Sequence, residues 1–288
     1  MPLLRSPSSS LDRLRDEVRG TLPLPALTAE RYAITHAAYE AVSDQRALLE
    51  EWLARELPPL LVDRDPLRVV GVGVGDGTVD AVLAAALATD GRRVMYAGVE
   101  PHAPSAVGFV GRLAALAATA LVPTVTIACF ADHDGGTTTD LVHFVHSLYY
   151  VDDLSAALDH ALGMLRPGGL LVVAMAPREP LCVITELLSP WVGHRPWFAE
   201  DVRAELDLRG LEVRAETLLG HLDVRDVLAD PLGRGEAVFD FLVGARTAAM
   251  DPGVREAVLD HLRDNVVPGR GGVVAHPLEL TVVRADPC

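Results

Sequence analysis

The stretch Leu67-Arg-Val-Val-Gly-Val-Gly-Val-Gly-Asp-Gly-Thr-Val-Asp80 constrains this chain more than any other. A short apolar run with one charge leads into alternating glycines, and a helical run follows from about Thr78 to Thr89. The segment Arg93-Val-Met-Tyr-Ala-Gly-Val-Glu100 then reads as a second strand that ends on an acid. Strand, glycine turn, helix and strand in this order make one unit of an α/β fold. Gly73, Gly75 and Gly77 let the backbone pass close to a ligand that side chains would exclude. An acid at the end of the second strand suits a ribose diol, whose two hydroxyls can donate to one carboxylate. The pattern predicts a nucleoside-type cofactor.

The spacing narrows the choice of cofactor. A nicotinamide dinucleotide site uses G-x-G-x-x-G, with the pyrophosphate on the helix N-terminus. Here the spacing is G-x-G-x-G, and Asp76 falls inside the turn. Its negative charge would repel a pyrophosphate but tolerate an ammonium or a sulfonium. The spacing, the acid and features further along the chain together favour S-adenosylmethionine, with S-adenosylhomocysteine as product. The competing reading is a tight turn in an α/β fold with no ligand.

Composition excludes other chemistries. The chain contains no lysine, so all 25 basic residues are arginine, and Asn265 is the single asparagine. This rules out a Schiff-base lysine, a pyridoxal phosphate lysine and a Walker-type phosphate loop, and the bias points to a GC-rich bacterial genome. A net charge of −15 and a pI near 5.0 argue against nucleic acid or an anionic membrane as partner. With 288 residues, half of them hydrophobic, the chain can bury a full core as one large domain or one domain with additions. No run approaches the ~18 apolar residues of a spanning helix. Met1-Pro-Leu-Leu-Arg-Ser lacks a signal peptide's apolar core, and the expectation is a cytoplasmic protein. Cys129, Cys182 and Cys288 are too scattered for a disulfide or zinc framework, and no His-Glu-His spacing suggests a metal site.

The remaining pattern sets the organisation. Residues 1–27 are expected to be flexible, with a polar Ser8–Ser10 run. Residues 28–60 read as a helical cap anchored by Tyr32, Tyr39, Leu48, Trp52 and Leu57, with Thr28 or Ser43 as caps and Pro58-Pro59 as its end. From 67 to 176 strands and helices alternate. Strands are expected at Val69–Val72, Val94–Val99, Thr124–Phe130, Asp140–Val145 and Leu170–Ala174, with helices near 78–89, 105–119 and 153–165. Such alternation implies a parallel sheet with helices on both faces. Later helical pieces near 180–190, 199–209 and 235–248 are interrupted by two alternating segments, Leu211–Thr217 and Leu278–Val283, which fit an antiparallel pair at one sheet edge.

The turn Met164-Leu-Arg-Pro-Gly-Gly-Leu-Leu-Val-Val173 adds the next signal. With the glycine loop, Glu100 and the two late strands, it resembles class I methyltransferases. Within them the chain is similar to the histamine N-methyltransferase family, over about residues 30–285. The segments that carry the likeness are Tyr32 through Glu51-Trp-Leu-Ala-Arg-Glu-Leu-Pro58, Val99-Glu-Pro101, His143-Phe-Val-His-Ser-Leu-Tyr-Tyr-Val-Asp-Asp153, and Leu218-Leu-Gly-His-Leu-Asp-Val-Arg-Asp226 with Phe239-Asp-Phe-Leu242. The resemblance implies a Rossmann-like α/β fold. Its sheet would be seven-stranded and mostly parallel, with an antiparallel last strand. The domain would occupy 61–288, carrying substrate-side insertions around 178–210 and 221–276.

The same resemblance implies site roles. Gly73, Gly75 and Gly77 would line the methionine part of the cofactor, Glu100 would hold the ribose, and Asp132 would accept from the adenine amino group. Val145 would pack near the adenine or methionine end. Tyr32, His146, Tyr149 and Tyr150 would face the acceptor, and Phe241 would add an apolar wall. Three positions depart from the family's pattern. Gln45 stands where the family has a glutamate, His146 where it has a glutamine, and His276 where it has an asparagine. The polar ends of the pocket have changed while the aromatic parts remain. Because hydrogen-bonding sites discriminate strongly, an acceptor other than histamine is expected.

Methyl transfer is an in-line displacement in which the enzyme chiefly aligns the acceptor's lone pair. Positive charge moves towards the acceptor, and aromatic faces stabilise it by about 0.5–2 kcal/mol each. An amine must lose its proton to attack, so His146 serves either as a mild base or, the preferred reading, as a hydrogen-bonding group. N-methylation of a small amine or imidazole in bacterial natural-product metabolism is the leading expectation, by a monomer or homodimer. O-methylation, a cyclase-like reaction on the same fold, a decayed binding scaffold and a nicotinamide oxidoreductase, which the glycine spacing disfavours, are the alternatives. The competing structural readings are packing for Tyr149-Tyr150 and for His143, and core as readily as lid for Trp191 and Trp197.

Overall fold

A computed structural model describes residues 9–61, 63–116, 120–136, 138–178, 180–190 and 196–285. Helices α1 (Ser10–Val18), α2 (Ala29–Glu40) and α3 (Gln45–Glu56) open the chain. An alternating run follows: β1 (Leu67–Val72), α4 (Thr78–Leu87), β2 (Val94–Val99), α5 (Ala103–Ala114), β3 (Leu121–Thr126), β4 (Thr139–Val145), α6 (Leu154–Met164) and β5 (Leu165–Met175). The remainder is α7 (Pro180–Leu188), α8 (Ala199–Leu208), β6 (Val213–Leu218), β7 (His221–Asp223) and α9 (Arg225–Ala229). It ends with α10 (Glu236–Val243), α11 (Pro252–Asp264), β8 (Val273–Ala275) and β9 (Leu278–Arg284). No described helix is long and apolar enough to cross a membrane.

The elements form two compact units. The larger, Arg46–Pro177 with Trp197–Leu218 and Leu278–Cys288, holds a seven-stranded sheet in the order β3-β2-β1-β4-β5-β9-β6. Strands β1 to β5 pair in parallel, while β9 runs antiparallel to both its neighbours, β5 and β6. This is the sheet expected from the sequence. Central strands of such a sheet are covered on both faces and therefore read as continuous apolar runs. Accordingly β4 and the second half of β5 are buried almost throughout, whereas β3 alternates between half-buried and exposed residues. Being at the edge, β3 also tolerates Pro123, which cannot donate to a ladder. One face packs on Trp52, Leu53 and Leu57 of the α3 region with α4 and α5, and the other on α6 and α8.

The smaller unit, Met1–Gln45 with Arg178–Pro196 and Leu219–Pro277, has its own core. Leu14, Tyr39, Ile184, Phe239, Val243 and Val258 are among its buried residues, and β7 pairs antiparallel with β8.

Three local expectations are corrected. Of the stretch 1–27 expected to be flexible, residues 1–8 lie outside the described residues and the remainder carries α1: Ser9 caps it by accepting from Asp12 N–H, and its one wholly buried residue, Leu14, joins the core of the smaller unit. Arg13 pairs with Asp260 and Ser10 with His261 of α11, so polar residues that suggested disorder are docking contacts. The helical run 28–60 is two helices, broken at residues 41–44 and followed by a 3-10 turn at Pro58–Leu61. The third strand lies at Leu121–Thr126 rather than Thr124–Phe130, because its register is set by β2, with Val94 opposite Leu121 and Val99 opposite Thr126. Phe130–Asp132 is a 3-10 turn instead. Helix α11, capped by Asp251 and begun by Pro252, and the β7–β8 hairpin are additions to what the sequence pattern suggested. Trp191 lies outside the described residues.

Docking of α1 is directly testable. Leu14→Ala should destabilise the protein by about 2–5 kcal/mol in urea unfolding, and a change below about 0.5 kcal/mol would show that α1 is not held in the core.

Candidate functional site

The glycine turn joins β1 to α4 in the larger unit. Gly73, Gly75 and Gly77 all have positive φ, at 68°, 55° and 76°. They differ in what surrounds them. A Cβ on Gly73 would lie 2.5 Å from Ser147 Cβ, and one on Gly77 would lie 2.8 Å from the Phe109 ring and 3.0 Å from Phe109 Cα. Only Gly75 opens onto empty space, with nothing within 4 Å of its Cβ direction. The expectation that all three are glycine to admit a ligand is therefore refined. Gly73 and Gly77 are glycine so that the turn can press against protein, and Gly75 is the position open to a ligand.

Asp76 also differs from its sequence reading. Its carboxylate accepts from Thr78 N–H at 3.2 Å and Thr78 Oγ1 at 2.8 Å, and pairs with Arg112 at 2.6 Å. Partial burial works to raise its pKa, but the Thr78 hydrogen bonds and the Arg112 charge outweigh it and hold the group below its ordinary value. Its charge is thus answered locally by a partner that the sequence spacing did not indicate.

Glu100 ends β2 and is 8% exposed. Its Oε2 accepts from Gly75 N–H at 3.0 Å and its Oε1 from His102 N–H at 2.9 Å. A carboxylate offers about four acceptor directions, so two backbone donors fix its orientation and leave capacity for a diol. The acid and the open glycine are thus one structural unit.

The other wall comes from the end of β4. His146 has φ 50°, the one non-glycine residue with positive φ among those described. Such a conformation costs about 1–2 kcal/mol and gathers at functional sites. His146 N–H donates to Ala174 O at 3.0 Å, and its Nδ1 lies 3.2 Å from Tyr149 Oη. Tyr149 Oη accepts from Ala176 N–H at 2.7 Å, so the phenol fixes both β5 and the imidazole. Immediately after His146, Ser147 meets Gly73, and its Oγ is buried without a hydrogen-bond partner among the described residues. An orphaned hydroxyl beside the turn, an open glycine and a carboxylate with spare acceptors fit a small polar cofactor. Ser147 escaped the sequence reading, since nothing but its place after His146 marks it.

Three expected residues lie at the margins. Tyr150 is 61% exposed and stands edge-on to Tyr149 at 6.3 Å. Asp132 is exposed on the 3-10 turn after β3. Val145 is half-buried against the sheet core.

The remaining residues gather in the smaller unit. Tyr32 stacks near His36 at 5.9 Å and contacts Phe241, and Phe241 lies 4.4 Å from Tyr39 between ring centroids. Tyr39 Oη is 2.6 Å from His276 Nε2. His36 and Tyr39 were missed as site candidates, although 32, 36 and 39 share one face of a helix. The helices are held by wholly buried Asp240, which accepts from Arg31 Nε at 2.8 Å and from Thr247 N–H and Oγ1 at 2.7 Å. Arg31 and Asp240 each precede an aromatic, Tyr32 and Phe241, so this pair sets the spacing of the rings. Gln45 takes a different place from the one expected: its buried amide donates to the carbonyls of His276 at 3.1 Å and Pro277 at 3.2 Å. It holds the His276 segment rather than presenting its amide N–H groups to a ligand.

Known proteins resemble the chain as follows. A family model described as a methyltransferase domain matches residues 41–216. Histamine N-methyltransferase of Xenopus tropicalis is 21% identical over 292 residues, covering 89% of this chain and 95% of that protein. Among solved structures, the YcgJ protein of Bacillus subtilis superposes with a TM-score of 0.56 at 12% identity, over 84% of this chain and 99% of its own. A candidate sarcosine dimethylglycine methyltransferase from Galdieria sulphuraria gives 0.51 at 17% identity, over 96% and 99%.

The glycines can be separated experimentally. Gly75→Ala should cost only the left-handed backbone penalty, about 1 kcal/mol, whereas Gly73→Ala adds the collision with Ser147 and should cost at least about twice that. Equal losses in chemical unfolding would contradict the packing role given to Gly73.

Proposed function

The chain belongs to the methyltransferase-domain family, and from that membership we propose that it methylates a nitrogen of a small aromatic or cationic acceptor. S-adenosylmethionine is its cofactor, and when bound it supplies a methyl group on a positively charged sulfonium. The observation that carries the site assignment is the coupling of Gly75 to Glu100, an open backbone turn locked onto a buried acid.

Roles for the chain's own residues follow from their chemistry. Glu100 accepts the ribose hydroxyls with the acceptor capacity its two backbone donors leave. Of the turn Gly73, Gly75 and Gly77, Gly75 offers its backbone to the methionine portion, Gly73 and Gly77 hold the turn that presents it, and Ser147 Oγ supplies a hydroxyl beside Gly73. Asp132 accepts from the adenine amino group, and Val145 packs near it. His146, held by Tyr149, hydrogen-bonds the acceptor and orients its lone pair. Tyr149 and Tyr150 present electron-rich rings to the charge that develops there.

Acceptor recognition is assigned to Tyr32, Phe241 and His276, joined by His36 and Tyr39. Such a ring cluster suits a planar or cationic group, and the histamine N-methyltransferase relative supports nitrogen as the atom methylated. Gln45 takes part by fixing the backbone at His276. The absence of lysine supports a GC-rich bacterial source, and small-molecule metabolism there is the setting this reading assigns.

Calorimetric titration tests this reading. S-adenosylmethionine and S-adenosylhomocysteine should bind at micromolar concentration and NADH should not; binding of NADH alone would refute it. Glu100→Ala should weaken S-adenosylmethionine more than tenfold, about 1.4 kcal/mol, with the fold retained, and unchanged affinity would remove the ribose role. Tyr149→Phe should lower kcat far more than cofactor affinity, and equal losses would move Tyr149 into the cofactor site.

A further inference from the structure

Beneath the glycine turn lies a buried polar group that the site described above does not use. Asp80, in the first turn of α4, is 4% exposed, and His143 on β4 is 2% exposed. Tyr96 on β2, wholly buried, donates its hydroxyl to Asp80 Oδ1 at 2.8 Å. His143 Nε2 lies 2.7 Å from the Tyr96 oxygen and 3.3 Å from the same Asp80 oxygen. With the phenol proton directed at Asp80, the imidazole must carry its hydrogen on Nε2, and Nδ1 is left buried without a partner among the described residues. Burial, and after it the charge and hydrogen bond of Asp80, push the Tyr96 phenol well above its ordinary pKa.

The group lies directly under the turn. A Cβ on Gly71 would meet Val74 Cγ1 at 2.6 Å, His143 Nε2 at 2.7 Å and Asp80 Oδ1 at 2.9 Å. Gly71 is therefore glycine because the network fills the space between β1 and the turn. Among the described residues no arginine pairs with Asp80, and its basic neighbour is the His143 imidazole at 3.3 Å. The nearby Arg112 is committed to Asp76, and Glu100 adds a second carboxylate at the turn.

The electrostatic sense of this arrangement is unusual for a glycine turn. A helix N-terminus carries about +0.5 of a charge and ordinarily favours phosphate. Here the first turn of that helix holds a buried carboxylate, whose charge opposes that dipole. A cofactor whose reacting centre is a cation gains from this, and the neutral product that remains after methyl transfer does not.

We propose that Asp80 is a specificity-determining residue that makes the cofactor site favour the sulfonium over the neutral thioether, and so promotes exchange of product for fresh cofactor. The inference rests on S-adenosylmethionine as methyl donor. Asp80 reaches the cofactor through the field it sets beneath the turn, and Tyr96 and His143 position it.

Calorimetry on the full chain tests it. Asp80→Asn keeps the shape and removes the charge. It should weaken S-adenosylmethionine fivefold or more, about 1 kcal/mol, while S-adenosylhomocysteine changes less than twofold. Tyr96→Phe keeps the charge and should leave the ratio of the two affinities unchanged. A purely structural role predicts equal losses for both ligands in Asp80→Asn, and that result, or no change in either, would overturn the proposal. If Asp80→Asn does not fold, the wild-type protein decides. Both S-adenosylmethionine and sinefungin, an ammonium analogue, should bind at least fivefold tighter than S-adenosylhomocysteine, and tighter binding of the neutral ligand would overturn the proposal. Failure of all of these ligands to bind the wild-type protein would overturn the cofactor assignment itself, and with it this inference.

Discussion

Space runs out around the turn after β1, and much of the larger unit is arranged to respect that limit. Ser147 presses on Gly73 from the end of β4, Phe109 presses on Gly77 from α5, and the Asp80–Tyr96–His143 group fills the room beside Gly71. Three separate contacts thus fix one short loop. Interiors packed at this density transmit small displacements rather than absorb them, so the open face at Gly75 is defined by the closed faces around it. The buried polar group is tolerable there because nearly all its atoms have partners, and a single unpartnered nitrogen is a limited cost.

The two polar clamps of the molecule share a logic. Asp240 is wholly buried yet holds Arg31 and Thr247, and Glu100 is nearly buried yet holds Gly75 and His102. In each case a carboxylate tied to fixed donors positions a neighbouring residue, a ring in one case and an open backbone turn in the other. Removing one partner of such a clamp leaves a buried charge without its counterpart, which is more damaging than the bond's own worth suggests.

The sheet was legible because its signal is periodic and local. Residues 67–72, 94–99 and 139–145 are apolar runs between turn residues, and two-sided burial demands that pattern. Glu100 was legible for the same reason, since its strand points it at the turn. Helix α1 was not, because it contributes one buried leucine and otherwise binds through polar contacts with a helix far along the chain. The start of the third strand was missed because β2, and not the β-branched residues from Thr124 onward, sets its register. Gln45 was expected at the acceptor, and Asp76 as a charge left open in the turn. Their hydrogen bonds reach residues 231 and 36 positions away, and no local pattern encodes those partners. Ser147 is the converse case, an ordinary residue given its position by the left-handed backbone at His146.

The position of β9 has a consequence for how the molecule comes into being. Among the strands, β6 pairs with β9 alone, and β9 follows only after the segment Leu219–Pro277, which belongs to the other unit. Each unit is likewise assembled from three separated stretches of chain. Neither can close as the ribosome delivers it, so pairing over long sequence separation must come late, and such pairing is intrinsically slow. Until β9 arrives, β6 and the outer side of β5 present unsatisfied edges of the kind that chaperones and aggregation compete for. The strand that completes the sheet therefore also sets how long the nascent protein remains vulnerable.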